Sequence, residues 1–263
     1  DIRDTKRIKE ISENFDVIVI TAAIVGDAAC AVDVALTNSI NQLAVKNICE
    51  QVNEKIHVIF LSTCSVYGAQ NGLLNEESPV NPLSVYAKTK YAAEAYVNAR
   101  GGTIFRLGTV YGVGDSYSRV RLDLVANVLT MKAVYEKQIN IFGGEQWRPL
   151  VCVKDIPGYI EESIRENITG TFILSERNVT MKMLGEEIVQ IFPDTKINYT
   201  DILFEDARNY HVDNSKSKQY FTYKAKNRLI EEMLQLAGIF KENRLKNVFD
   251  NIYHNGNYLK NIY

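Results

Sequence analysis

The chain has 263 residues, 46% of them hydrophobic, which is enough to bury a sizeable core. Its 30 Lys and Arg against 32 Asp and Glu give a net charge of −2, so no general attraction to nucleic acid or to anionic membranes is expected. No apolar run reaches the ~18 residues that span a bilayer, and the charged start Asp1-Ile2-Arg3-Asp4 has no signal-peptide core.

The spacing predicts a helix over about 5–14, then a strand at Asp16-Val17-Ile18-Val19-Ile20. A continuous β-branched run of this kind suits a strand covered on both faces of a parallel sheet. It ends in Thr21-Ala22-Ala23, small residues that let a ligand approach the backbone. A helix over about 37–53 leads to a second buried strand, 57–61, ending in Ser62-Thr63-Cys64-Ser65. A loop with Gly68, Gly72, Pro79 and Pro82 precedes a helix over about 84–98. A third strand, 103–107, ends in Gly108-Thr109. This alternation predicts an α/β fold with a doubly wound, Rossmann-like parallel sheet, whose function sits at the C-terminal strand ends.

Past Gly112 the pattern loosens. A helix is predicted over about 122–136, a hairpin around Gly143-Gly144, a strand at 150–153 and a helix at 156–165. A strand at 171–174 and helices near 180–191 and 227–236 follow, and the tail from Asn243 is expected to pack loosely. The expected division assigns 1–112 and about 147–176 to a dinucleotide-binding domain. It assigns about 113–146 and 177–263 to a smaller α/β substrate-binding lobe.

Tyr86 and Lys90 lie one helical turn apart and so share a face. A free phenol, with a pKa of about 10, is a poor base at neutral pH. A cation one turn away is expected to favour the phenolate. Thr63, at a strand end, can bind the same substrate hydroxyl, completing a relay for alcohol–ketone interconversion. The spacing alone also arises from a core Tyr beside a solvated Lys. Cys30, Cys49, Cys64 and Cys152 form no CxxC pair, and His57, His211 and His254 have no partner spacing. Buried thiols in a reducing cytoplasm are expected, with no metal site.

In chain order the chain carries Asp1-Ile-Arg-Asp4, Asp16-Val-Ile-Val-Ile-Thr-Ala-Ala23, Thr37-Asn38 and Leu61-Ser-Thr-Cys-Ser-Val-Tyr-Gly68. It continues with Asn81-Pro-Leu-Ser-Val-Tyr-Ala-Lys-Thr-Lys90, Phe105-Arg-Leu-Gly-Thr-Val-Tyr-Gly112 and Gly144-Glu-Gln-Trp-Arg-Pro-Leu-Val-Cys-Val-Lys-Asp155. Together these stretches resemble the extended short-chain dehydrogenases of the NAD-dependent epimerase/dehydratase family, which act on nucleotide sugars. The resemblance implies Thr63, Tyr86 and Lys90 as the catalytic set, with Tyr86 as acid and base. It implies NAD contacts from Asp1, Ile2, Ala22, Ala23, Asn38 and Ser62, with Lys90 on the nicotinamide ribose. For the nucleotide-sugar substrate it implies Ser65, Thr109, Arg148 and Arg208, the two arginines suiting a diphosphate. Arg119 and Arg121 could meet phosphate or base, or belong to a solvated helix start.

Two departures matter. The family's Gly-rich GxxGxxG turn does not occur, and Val25-Gly26-Asp27 supplies one glycine only. In the family the Asp-Ile-Arg-Asp element lies about 60 residues in, after that turn. The expectation is therefore that the N-terminal βαβ unit is missing and that these residues alone bind NAD poorly. In addition, Cys64-Ser65 stand where the family's 4,6-dehydratases carry an Asp-Glu pair that eliminates water. The resemblance thus points to a 4-epimerase acting through a transient 4-keto sugar. The enzyme alternative is a 4-dehydrogenase or 4-ketoreductase, because enzymes acting on heptoses such as a GDP-heptose carry a run similar to Arg119-x-Arg121-Leu-Asp-Leu. A non-catalytic binding protein or inactive fragment is the remaining alternative. The family's pairing of the helices over 37–53 and 84–98 implies a homodimer.

Overall fold

A computed structural model describes residues 1–115, 117–201, 208–245 and 247–260. Helix α1 (Thr5–Ser12) opens on Asp4, whose carboxylate accepts from the Arg7 N–H. Strand β1 (Val17–Ile20) leads through the loop at 21–25 into two short helices, α2 (Asp27–Cys30) and α3 (Val34–Asn38). A π-helical turn, Ser39–Leu43, joins α3 to α4 (Ala44–Gln51). Strand β2 (His57–Thr63) ends in a tight turn, Cys64–Tyr67, followed by β3 (Ala69–Leu74). Helix α5 (Val85–Ala99) then leads to β4 (Thr103–Leu107) and β5 (Thr109–Tyr111).

The second half holds α6 (Val125–Tyr135), β6 (Gln138–Phe142), β7 (Trp147–Cys152) and α7 (Ile156–Arg165). Next come β8 (Gly170–Leu174), β9 (Arg177–Thr180), α8 (Met181–Ile191) and β10 (Lys196–Thr200). Strand β11 (Asn209–Val212) and helices α9 (Ser215–Tyr220), α10 (Leu229–Lys241) and α11 (Asn255–Lys260) complete the described chain.

The central sheet is parallel, in the order β1-β2-β4-β8. Period-two alternation sends Val58, Phe60 and Ile104 to one face, against Val45, Ile48, Ala93 and Val97 of α4 and α5. Ile59, Phe105 and Phe172 face the other way, against Tyr159 of α7 and Phe221 beyond α9. Helices therefore cover both faces, as a doubly wound sheet requires. Fully burying each of these side chains stabilises by roughly 1.5–3 kcal/mol. A second core gathers residues of β5, β6, β7, β9, α6, α8 and α10. A separate three-stranded sheet has the order β5-β7-β9.

The expected hairpin at Gly143-Gly144 does not form. β6 pairs in parallel with β10, whereas β7 pairs with β5 and β9. The Gln146 side chain accepts from the Gly144 N–H at 2.7 Å and donates to Phe142 O at 2.8 Å. Those bonds satisfy the turn without a ladder and release β7 to another sheet. The tail also differs from expectation, because its described part docks. Leu122 N donates to Tyr253 O at 2.9 Å, and Asn255 binds Asp123 and Val25 O at 3.0 and 2.8 Å.

Candidate active site

Ser84 caps α5, its hydroxyl accepting from the Ala87 N–H at 3.1 Å. The helix then presents Tyr86, Lys90 and Glu94 at four-residue intervals along one face. Thr63, the last residue of β2, accepts from the Ser65 N–H at 3.1 Å and is among the groups that bear on the Tyr86 phenol. The three expected catalytic side chains therefore lie at the end of β2 and along one face of the first turns of α5. Gly68 adopts φ +71°, and a Cβ there would collide with Asn81 O, so the intervening loop closes only on glycine.

The electrostatics differ from expectation. Burial pushes the Tyr86 phenol well above its usual range, and Cys30 and Asp27 act in the same direction. Thr63 and Arg121 oppose that shift. The cation that opposes the rise most is Arg121 and not the expected Lys90. Its own ammonium is pulled down to about 7 by burial, against the attraction of Glu94, and rests 3.9 Å over the Phe60 ring. Desolvation outweighs the neighbouring charge for both groups.

Ser62, an expected cofactor contact, is buried, and its hydroxyl donates to Glu94 Oε1 at 2.5 Å. Glu94 in turn pairs with Arg106 at 2.8 Å, and Arg106 donates to the Tyr67 hydroxyl at 2.9 Å. This buried network braces α5 against β2 and β4. Ser65 is buried, its hydroxyl 3.4 Å from that of Tyr210. The Cys64 thiol is fully buried beneath it, donates to Arg106 O at 3.3 Å and is pushed well up by burial. No carboxylate stands at either position. All four cysteines are free and buried, and no group of three or more His, Cys, Asp or Glu side chains could hold a metal among the described residues.

At the end of β1, Ala22 is exposed and Ala23 half-buried. Sequence reasoning missed what holds this loop. The Asn41 amide accepts from Ile24 N at 2.8 Å and donates to Ile24 O at 2.9 Å. It also reaches Thr89 of α5 at 3.4 Å. Asn41 lies in the π-helical turn, three residues past the expected contact Asn38, which is half-buried. Ile2 and Ala22 line one apolar groove of about 270 Å³, so the structure brings these two expected cofactor contacts together. Asp1 pairs with Arg3 at 2.5 Å.

The two expected diphosphate arginines are neighbours. Arg148 is buried, donates to Trp147 O at 2.8 Å and to Arg208 O at 2.5 Å, and its guanidinium lies 5.6 Å from the Tyr210 ring. Arg208 pairs with Asp27 at 3.3 Å, and Asp27 also accepts from the Ser84 hydroxyl at 2.6 Å. Asp27 was not anticipated. The only signal for it in the sequence was an acidic residue just past a strand end. Asp206 and Ala207, part of the stretch that suggested Arg208, lie outside the described residues. Thr109 is half-buried at the start of β5. Arg121 pairs with Asp123 at 2.6 Å beside Gly26. Arg119 bonds Ile252 O and the Asn255 side chain and stacks on Tyr258, so the docked tail holds it.

Residues 1–160 match the NAD dependent epimerase/dehydratase family. The chain is 30% identical over 206 residues to the uncharacterized UDP-glucose epimerase YtcB of Bacillus subtilis (strain 168), covering 70% of this chain and 61% of that relative. Among solved structures, the UDP-glucuronic acid 4-epimerase of Bacillus cereus, in complex with UDP-glucuronic acid and NAD, superposes with TM-score 0.77 at 22% identity. That match covers 92% of this chain and 80% of the other. The dTDP-glucose 4,6-dehydratase of Bacillus anthracis, in complex with NAD, superposes with TM-score 0.75 at 20% identity, covering 92% and 78%. An epimerase and a dehydratase thus match almost equally, so the shared fold does not separate the two reactions.

Proposed function

The chain belongs to the NAD dependent epimerase/dehydratase family, and on that premise we propose that it is a nucleoside-diphosphate-sugar 4-epimerase. The observation that carries the reading is Tyr86 and Lys90 one turn apart on α5, which packs on β2, the strand that ends in Thr63. The absence of carboxylates at positions 64 and 65 supports epimerisation over dehydration.

The residues present suit the nicotinamide half of NAD. Ala22 and Ala23 leave the end of β1 approachable, and the buried Lys90 ammonium meets no carboxylate within ion-pair range among the described residues. Lys90 would hold the ribose, while Ile2 and Ala22 would line the cofactor's path. When bound, NAD supplies the acceptor and donor of the hydride at the sugar carbon. The chain's own residues manage the proton. Thr63 and Tyr86 hold the C4 hydroxyl; the positive charge of bound NAD would favour the Tyr86 phenolate against its burial, and that phenolate takes the hydroxyl proton as the carbonyl forms. After the 4-keto sugar turns over, Tyr86 returns that proton. Arg148 and Arg208 would keep the diphosphate anchored while the sugar moves.

The test is incubation of the full-length protein and NAD with UDP-glucose, reading products by chromatography and NADH by absorbance. A C4 epimer without net NADH is the expected result. Net NADH would instead favour the 4-dehydrogenase reading, and no product with any sugar nucleotide the non-catalytic one.

A further inference from the structure

We propose that Asp27 is a specificity-determining residue, whose carboxylate faces the bound sugar and selects neutral hexoses over uronates. The proposal rests on the nucleotide-sugar reading above. Asp27 opens α2 directly after Gly26, which adopts φ +101°, in the loop that leaves the C-terminal end of β1. That end of a parallel sheet is where ligands bind. One carboxylate oxygen accepts from Ser84, two residues before Tyr86, and the other pairs with Arg208. Its side chain keeps 34% of its surface open. Asp27 is also among the charges felt by the Tyr86 phenol. Through Ser84, the cap of the helix that carries Tyr86, Asp27 would sit beside a sugar held at that helix start.

Substrate changes the partners of Asp27. A diphosphate competes for Arg208, because a guanidinium pairs bidentately with phosphate. Asp27 would then be left with Ser84 and a free lone pair, a good acceptor for a sugar hydroxyl. A uronate brings a second carboxylate to the same space. Two like charges a few ångströms apart in a partly closed site disfavour binding by about ten- to a hundredfold. Gly26 and Ala28, on either side, carry no charge that would offset this. Arg121, near Gly26, is paired with Asp123.

The experiment compares Asp27→Asn with the wild type, using the full-length holoenzyme and both UDP-glucose and UDP-glucuronate. Dissociation constants come from calorimetry and kcat/KM from product formation. Asparagine keeps an acceptor for Ser84 but removes the charge. The expected result is that the preference for UDP-glucose falls by about ten- to a hundredfold, mostly in Kd and KM. Ser84→Ala, which removes the helix cap but leaves the carboxylate, is expected to keep the preference. An unchanged ratio in Asp27→Asn overturns the proposal, because Asp27 would then merely hold the start of α5. If neither sugar is turned over by the wild type, the 4-epimerase reading fails, and the calorimetric ratio still decides the role of Asp27.

Discussion

Lys90 sits in a conflict between charge and burial. Burial lowers its ammonium from 10.5 to about 7, while Glu94 pulls the other way. In the unfolded chain Lys90 keeps its proton up to about 10.5, whereas the folded chain releases it near 7. Between these values the unfolded state binds more protons, so this group makes stability rise with pH across that window. Thermal unfolding across pH 6–10 is expected to show that rise in the cofactor-free protein and to lose much of it in Lys90→Met. A slope unaffected by the substitution would contradict the burial assigned to this ammonium. The pair Tyr86 and Lys90 was legible because four-residue spacing fixes a helix face whatever else the fold does. The direction of their shifts was not, because desolvation depends on what packs above them. Asp27 was illegible for a similar reason. Its partners Ser84 and Arg208 lie far along the chain, and no local pattern announces them.

Among the elements, the central strands and α5 followed from hydrophobic period and turn chemistry. The departures came where a side chain satisfies the backbone in place of a ladder. Gln146 does so at the expected hairpin. Asn41 does so for the loop after β1, from a π-helical turn of the kind often found at functional sites. Asn41→Ala leaves the Ile24 N–H and carbonyl without those partners, a loss of about 1–3 kcal/mol. Urea unfolding is expected to register that loss, and NAD affinity to fall with it as the loop carrying Ala22 and Ala23 loosens. Full stability in Asn41→Ala would show that the loop is held by other contacts. The Ser62–Glu94–Arg106 network makes the same point. A hydroxyl at a strand end reads as a ligand contact, yet a buried carboxylate 32 positions later claims it.

For the whole molecule, the central sheet and its helices position Tyr86 and Lys90, and β7 carries Arg148. We propose that the division of the chain follows this line. Residues 1–112 and about 147–176 would carry the cofactor and the remainder the sugar nucleotide, with β5-β7-β9 as the seam. The chain spans 61% of the length of the curated relative it matches. No helix among the described residues is long and apolar enough to cross a membrane. We further propose a homodimer through the helices around α4 and α5, where Leu43 and Tyr91 leave apolar surface exposed. Sedimentation at micromolar concentration is expected to give a dimer that Tyr91→Glu weakens, and a monomeric wild type would exclude this pairing.

The central claim is hydride removal and return at one sugar carbon, with Tyr86 moving the proton. UDP-glucose carrying deuterium at C4 tests it most directly, by mass spectrometry and proton NMR of the products. The expected result is a C4 epimer that keeps its deuterium, formed by the wild type and slowed by about a thousandfold in Tyr86→Phe. Deuterium accumulating in reduced cofactor without epimer, or equal turnover by Tyr86→Phe, would contradict it.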